Sequence, residues 1–144
     1  MNWGTSMASE HIRVLVVDDN AHVRTMVRAV LSAAGMEVRE SADGQQALQL
    51  LKQWRPDIAM VDFEMPSLNG AQFTRKVRES PDRAIRGLPI LMMTAHADKT
   101  RVTEAREAGV NGLIAKPLTI GSIMGRIEKV LAAAGAQATV GKAA

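Results

Sequence analysis

Five polar residues stand directly after short apolar runs of the chain, where buried β-strands are predicted to end. They are Asp18, Asp19, Asp62, Thr94 and Lys116. Each run is too short for a helix and is rich in aliphatic residues, which is typical of a fully buried strand. Because carboxylates are rarely buried without a partner, we expect Asp62 to lie at the exposed end of its strand and to face a charge or a metal.

Side chains of these types, brought together, could perform phosphoryl transfer. Three crowded carboxylates repel one another, and the pKa of at least one should rise unless a cation lies among them. Hard oxygen ligands favour Mg²⁺, which takes one or two carboxylates together with waters and phosphate oxygens. Lys116 adds a positive charge and Thr94 a hydroxyl donor. Such a group can position and neutralise a phosphoryl group, and an aspartate can accept it as an acyl phosphate.

The three aspartates and Lys116 also have simpler interpretations. The pair Asp18–Asp19 could stabilise the N-terminus of the next helix through its dipole, Asp62 could begin a loop, and Lys116 could be an ordinary surface lysine. His22 and His96 are predicted to face solvent, because no second histidine is spaced to join either as a metal ligand. The joint occurrence of the polar residues at successive strand ends favours a shared site.

The apolar pattern predicts five strands that alternate with five helices. The strands are expected at residues 12–17, 36–40, 58–62, 88–94 and 111–115. Gly35 is expected to end the first helix, residues 82–87 to form a polar connector, and the last helix to begin at Leu118 or Thr119. This alternation predicts a parallel sheet with helices on both faces. Ligands bind at the carboxyl ends of the strands in such sheets, where the polar residues meet.

The composition predicts one domain with an aliphatic core. The chain has 144 residues, of which 47% are apolar and 3% aromatic. The absence of cysteine excludes disulfides, thiolate metal sites and cysteine nucleophiles. No apolar run approaches the roughly 20 residues needed to cross a bilayer, and no cleavable signal pattern opens the chain. We therefore expect a cytoplasmic protein that does not insert into a membrane.

The two ends of the chain are predicted to lie outside the folded domain. Residues 1–10 carry little pattern and are interpreted as a disordered leader that resembles an added expression sequence. The folded domain is expected over residues 11–131. From Ala132 the chain turns to alanine, glycine and polar residues, so residues 132–144 are predicted to be a flexible tail.

The net charge is +3 and the pI about 9.7, with basic residues gathered in two stretches. Such stretches are either a solvated helical face or a docking surface for an acidic partner or a phosphate-bearing ligand. The basic residues concerned are Arg75, Lys76, Arg78, Arg83 and Arg86 in one stretch and Lys99, Arg101 and Arg106 in the other.

Four motifs together resemble the response regulator receiver domain of two-component signalling. They are Val-Val-Asp18-Asp19-Asn20, Val-Asp62-Phe-Glu-Met-Pro66 with Asn-Gly70, Thr94-Ala95 and Lys116-Pro117. The resemblance covers residues 11–131 in register. It implies a flavodoxin-like (βα)5 doubly wound fold with a five-stranded parallel sheet in the order 2-1-3-4-5. It also implies a stand-alone domain similar to the chemotaxis regulators.

The resemblance assigns a role to each acid. Asp62 would be the phospho-acceptor and a Mg²⁺ ligand. Asp19 would bind Mg²⁺ directly and Asp18 through water, and the backbone carbonyl of Glu64 would complete the protein ligands. The phosphoryl donor would be a histidine kinase or a histidine phosphotransfer protein.

The resemblance also assigns roles to Thr94 and Lys116. Thr94 would bond the phosphoryl group and Lys116 would pair with it, and the Lys116–Pro117 bond would be cis. Phosphorylation would bias a surface formed by the fourth strand, fourth helix, fifth strand and fifth helix. This surface would dock a downstream target protein or serve a phosphorelay. The domain would act as a monomer or weak dimer.

Two departures from the family pattern stand out. Many members carry an aromatic residue three positions before the lysine, where this chain has Leu113, so an aromatic switch is not expected. Glu64 adds an acid two positions after Asp62. Glu64 either faces solvent or, with His96, alters how readily water attacks the acyl phosphate.

Three other functions compete with this interpretation. An aspartyl-phosphate hydrolase of the haloacid-dehalogenase type would have Asp at position 64 and a lid domain, whereas this chain has Glu64 and little length for a lid. A flavin-binding module would need a Ser/Thr/Gly-rich phosphate loop in place of Asp18–Asp19. The basic residues could bind a nucleotide or nucleic acid, although no dedicated DNA-reading module is evident in the sequence.

Overall fold

The computed structural model describes residues 12–143, with side chains described to residue 135. The predicted leader, residues 1–10, lies outside the described residues. The strands are β1 Arg13–Val17, β2 Glu37–Ser41, β3 Ile58–Asp62, β4 Ile90–Thr94 and β5 Gly112–Ala115. The helices are α1 Ala21–Ala33, α2 Gly44–Leu51, α3 Gly70–Arg78, α4 Arg83–Arg86, α5 Lys99–Ala108 and α6 Ile120–Ala143.

All five strands are parallel and lie in the order β2-β1-β3-β4-β5, which confirms the predicted flavodoxin-like topology. The register pairs Val17 with Val61, Asp62 with Met93, and Thr94 with Ala115. The carboxyl ends of the strands are therefore level, and the residues that follow them emerge at one edge of the sheet.

The three central strands, β1, β3 and β4, are buried on both faces, as their continuous apolar sequences predict. Alternate residues of β1 and β3 enter two different clusters of the core. Val14, Val16 and Met60 pack on the side of α1 and α6. Leu15 and Val61 pack on the side of α2 and α3. The helices therefore cover both faces of the sheet.

Several element boundaries differ from the sequence prediction by one or two residues, including the start of the last helix at Ile120 rather than at Leu118 or Thr119, and three differences have a clear physical reason. Residues 82–87 contain the short helix α4, because the Asp82 carboxylate accepts a hydrogen bond from Ala84 N–H and caps it. The fourth strand begins at Ile90 rather than at residue 88, after Pro89, which has no N–H to donate. The last helix continues past residue 131 to Ala143, and its alanine-rich sequence has high helix propensity.

Arg78, one of the clustered basic residues, forms hydrogen bonds within the fold rather than belonging to a solvated helical face. Arg78 donates from Nε and Nη2 to the carbonyl of Gly109, at 3.0 and 2.8 Å. Its Nη1 donates to the carbonyls of Arg86 and Leu88, and its Nη2 also donates to Asn111 Oδ1. One guanidinium thus joins the end of α3 to the segments that precede β4 and β5.

Within residues 12–143, none of the helices is both long enough and apolar enough to cross a membrane.

Candidate functional site

Four strands deliver polar residues to the carboxyl edge of the sheet. Asp18 follows β1, Asp62 ends β3, Thr94 ends β4 and Lys116 follows β5. Asp18 and Thr94 have no exposed surface and Asp62 is 2% exposed, so their side chains lie within the protein rather than on its surface. Burial of this kind requires partners for each polar group.

Lys116 is the partner of two of the buried acids. Its Nζ lies 3.0 Å from Asp18 Oδ2 and 3.2 Å from Asp62 Oδ1, so one ammonium group joins β1, β3 and β5. The three residues are far apart in the chain and meet only because the sheet is parallel and level at this edge. Lys116 is therefore not an ordinary surface lysine.

The three aspartates form a group that could hold a metal ion. One carboxylate oxygen from each of Asp18, Asp19 and Asp62 lies within 4.8 Å of the others. Asp19 is exposed, so the group opens to solvent on one side. Clustered carboxylate oxygens without sulfur or imidazole suit a hard cation such as Mg²⁺. The donors present thus fit the cation that the family resemblance implies.

The electrostatics of this group favour an incoming cation. Burial, followed by the charge of Asp18, raises the pKa of Asp62 to about 6 despite the opposing effect of Lys116. Burial alone would lower the pKa of Lys116, but its bonds and charge interactions with Asp18 and Asp62 outweigh burial and raise it. Lys116 is therefore charged at neutral pH, and it balances one of the buried carboxylates rather than both.

The loop after β1 is held by contacts that sequence reasoning missed. Asp18 Oδ1 accepts a hydrogen bond from Asn20 N–H at 2.9 Å, and Asn20 in turn caps α1. Arg24 donates to the Asp18 carbonyl at 2.7 Å and also to Glu40 on β2. Glu40 pairs with Arg28 as well. The backbone of the acid pair is thus anchored to both α1 and β2.

Glu64 does not simply face solvent, which was one of the two interpretations of this acid. Its Oε2 accepts the Thr94 hydroxyl at 2.5 Å, and its Oε1 accepts the N–H of Ala95 at 3.2 Å. It also forms an ion pair with Arg101 of α5. Burial raises the pKa of Glu64, but the bonds from Thr94 and Ala95 and the charge of Arg101 outweigh it and lower the pKa overall.

Thr94 reaches the edge of the sheet, but its described bonds do not run to Asp62. Its hydroxyl donates to Glu64 and accepts the N–H of His96 at 3.0 Å. His96 and His22 are exposed, as predicted. The structure therefore brings Asp18, Asp19, Asp62 and Lys116 together and places Thr94 beside them in a pair with Glu64.

Two expectations concern the end of β5. The Lys116–Pro117 peptide bond is cis, as the family resemblance implied. Leu113, at the position where many receivers have an aromatic residue, is partly buried and packs against the cluster formed by Phe63, Met92 and neighbouring alanines. An aliphatic side chain is thus part of the packing between β4, β5 and α5.

Comparison with known proteins identifies this arrangement. The family model for the response regulator receiver domain matches residues 14–128. Chemotaxis protein CheY-3 of Vibrio cholerae is 32% identical over 126 residues, which cover 87% of this chain and 95% of the relative. Chemotaxis protein CheY of Pseudomonas aeruginosa is 35% identical over 120 residues, covering 83% and 95% of the two chains.

A solved structure supports the same assignment. The chemotaxis response regulator CheY4 of Vibrio cholerae superposes with a TM-score of 0.77 at 32% identity, covering 83% of this chain and 98% of that one. The family model, the relatives and the strand order agree with one another. The chain therefore belongs to the response regulator receiver domain family of two-component signalling.

Proposed function

We propose that this protein is a response regulator receiver domain that accepts a phosphoryl group on Asp62 from a histidine kinase or a histidine phosphotransfer protein. The observation that carries this proposal is the position of Lys116 Nζ, 3.2 Å from Asp62 Oδ1 and 3.0 Å from Asp18 Oδ2. A buried carboxylate beside a fixed ammonium and two further carboxylates is suited to hold a phosphoryl group and a divalent cation together.

The transfer step uses Asp62 as the nucleophile. One carboxylate oxygen of Asp62 forms a bond to phosphorus while the bond between phosphorus and the donor imidazole nitrogen breaks. The bonding electron pair leaves with the imidazole nitrogen. Lys116 remains protonated and offsets the charge that gathers on the phosphoryl oxygens. Asp62 must be ionised to attack. Its pKa is raised to about 6, and the carboxylate therefore remains the dominant form at neutral pH.

The metal site of the proposal consists of Asp18, Asp19 and Asp62, whose oxygens lie within 4.8 Å of one another, and the backbone carbonyl of Glu64. Mg²⁺ bound there would neutralise phosphoryl charge during the transfer. Asp18 is held by Lys116 and by the backbone of Asn20, which supports a role through water. Exposed Asp19 is the acid with the most room to bind the ion directly.

The chemistry of the proposal is limited to the domain's own phosphorylation and dephosphorylation. Phosphorylated Asp62 would add roughly two negative charges at the edge of the sheet. We place the response to this charge on the surface formed by β4, α5, β5 and α6, where it would change docking to a target protein or pass the group on in a relay. Partly buried Leu113 is part of this surface.

Acetyl phosphate with Mg²⁺, followed by intact-mass measurement, tests the proposal. The parent should gain one phosphate, and Asp62→Asn should gain none. Asp19→Asn should lose most of the adduct because the metal is lost, while Glu107→Gln on the exposed side of α5 should behave like the parent. An adduct that persists in Asp62→Asn would refute the assignment. Sustained turnover of a phosphate monoester would instead indicate the hydrolase.

A further inference from the structure

The Glu64 carboxylate occupies two hydrogen-bond donors at the end of β4. Its Oε2 accepts a hydrogen bond from the Thr94 hydroxyl at 2.5 Å, and its Oε1 accepts one from the Ala95 N–H at 3.2 Å. Thr94 is fully buried, so its hydroxyl depends on partners within the protein. Two donors from adjacent residues thus hold two oxygens of a single anion, which is also how a phosphoryl group is bound.

Arg101 keeps this carboxylate in place. Its guanidinium forms an ion pair with Glu64 Oε2 and lies over the ring of Phe63, with 3.9 Å between Cζ and the ring centroid. The backbone N–H of Arg101 donates to the capping side chain of Asp98, which fixes the first turn of α5. The cation is therefore held by a ring on one side and by an ordered helix start on the other.

The acceptor carboxyl lies two residues before Glu64, on the strand next to β4. Asp62 pairs in register with Met93, the residue before Thr94. The N–H of Glu64 is also directed at Asp62 Oδ1, at 3.4 Å. A phosphoryl group on Asp62 would therefore meet the donors of Thr94 and Ala95 while these are bonded to Glu64, and its charge would repel the Glu64 carboxylate.

The geometry points to Glu64 as an internal occupant of the phosphoryl-oxygen site, where Arg101 holds it. The Glu64 carboxylate must leave the Thr94 hydroxyl and the Ala95 N–H before a phosphoryl group on Asp62 can bind them. This inference rests on the proposed function and adds a specificity determinant to it. Glu64 and Arg101 together set how readily the site accepts the group, because each bond to the occupant must be exchanged for a bond to the ligand.

The inference predicts that removal of the occupant strengthens binding of a phosphoryl analogue. The analogue is beryllium trifluoride, which binds an aspartate carboxylate without hydrolysis. We would measure the affinity of the protein for it, in the presence of Mg²⁺, by titration calorimetry. Glu64→Ala should bind about tenfold more tightly than the parent, since it no longer gives up two hydrogen bonds. Glu107→Ala removes the same charge from the exposed side of α5 and should match the parent.

Arg101 should act only through Glu64. Arg101→Gln should tighten binding of the analogue in the parent, because Glu64 is then held less firmly. The same substitution in the Glu64→Ala background should leave the affinity for the analogue unchanged. Equal affinities of the parent and Glu64→Ala, or an undiminished effect of Arg101→Gln in the double variant, would overturn the inference. Far-ultraviolet circular dichroism would confirm that each variant is folded before its affinity is compared.

A structure of the parent with the analogue bound tests the displacement without any variant. A fluorine atom of the analogue should accept a hydrogen bond from the Thr94 hydroxyl, and the Glu64 carboxylate should have moved away from Thr94. Retention of the bond between Thr94 and Glu64 would overturn the inference. The two proposals fail separately: a parent that gains no phosphate from acetyl phosphate contradicts the receiver function, whereas normal phosphorylation with Glu64 unmoved contradicts only the occupant.

Discussion

Gly70 lies so close to Asp62 that a β-carbon at position 70 would be 2.6 Å from the Asp62 carbonyl oxygen. The same atom would be 2.9 Å from Cα of Phe63, because the first turn of α3 passes directly against the end of β3. The N–H of Gly70 donates to the Phe63 carbonyl at 3.0 Å. The backbone of the proposed phospho-acceptor is thus positioned by a contact that only glycine permits.

Gly70→Ala should therefore destabilise the protein. We expect the free energy of unfolding to fall by about 1–3 kcal/mol, since the added methyl group must displace backbone atoms rather than a flexible side chain. Urea unfolding would measure the change. Gly125→Ala is the matched control, because a β-carbon at position 125 meets nothing within 4 Å and should raise stability by about 0.5–1 kcal/mol through helix propensity. Similar changes at the two positions would contradict the argument.

The pKa of Asp62 gives stability a specific pH dependence in the presence of a chelator. The folded protein holds the Asp62 proton more tightly than the unfolded chain, since the pKa rises from 3.8 to about 6. The contribution of Asp62 to stability is therefore full below pH 3.8 and is lost as the pH rises through about 6. Asp62→Asn should be more stable than the parent at pH 7.5, by up to about 3 kcal/mol.

Urea unfolding of both proteins across this pH range is the measurement. The advantage of Asp62→Asn should shrink as the pH falls and should be absent near pH 4, where Asp62 of the parent is protonated in the folded state. A constant difference at all pH values would show that the substitution acts through packing, and that the charge of Asp62 is not responsible.

Added Mg²⁺ should stabilise the parent, because under the proposed function the ion would bind the folded arrangement of Asp18, Asp19 and Asp62 and not the unfolded chain. The gain should reach about 2.7 kcal/mol at a hundredfold excess over the dissociation constant. Thermal unfolding with increasing Mg²⁺ would measure it. Asp19→Asn should lose most of the gain without harm to the fold, because Asp19 is exposed. Equal Mg²⁺ stabilisation of Asp19→Asn and the parent would rule out Asp19 as a ligand.

Arg78→Lys should destabilise the protein although the charge is kept. A lysine cannot reproduce the forked contacts that Arg78 makes with Gly109, Leu88 and Asn111, so we expect a loss of about 2–3 kcal/mol. Arg75→Lys, at an exposed position of the same helix, should be neutral. Urea unfolding of the two variants checks this, and equal stability would mean that the Arg78 network contributes little.

The sequence was sufficient to predict the fold and most of the candidate site. Short aliphatic runs that alternate with amphipathic stretches leave few arrangements other than a parallel sheet covered by helices. In such a sheet the residues after each strand share one edge, so Asp18, Asp62 and Lys116 could be placed together before their distances were known. The cation beside the acids followed from the cost of burying unpaired carboxylates.

Other contacts required the tertiary structure. The ion pair of Glu64 with Arg101 and the bond of Arg24 to the Asp18 carbonyl join residues whose sequence positions carry no signal of their pairing. Long side chains reach several places from one backbone position, and their choice depends on how α1 and α5 are oriented against the sheet. Hydrophobic periodicity in the sequence predicts which residues are buried. It does not predict the partners of half-exposed charged groups, because those partners depend on how the helices pack against the sheet.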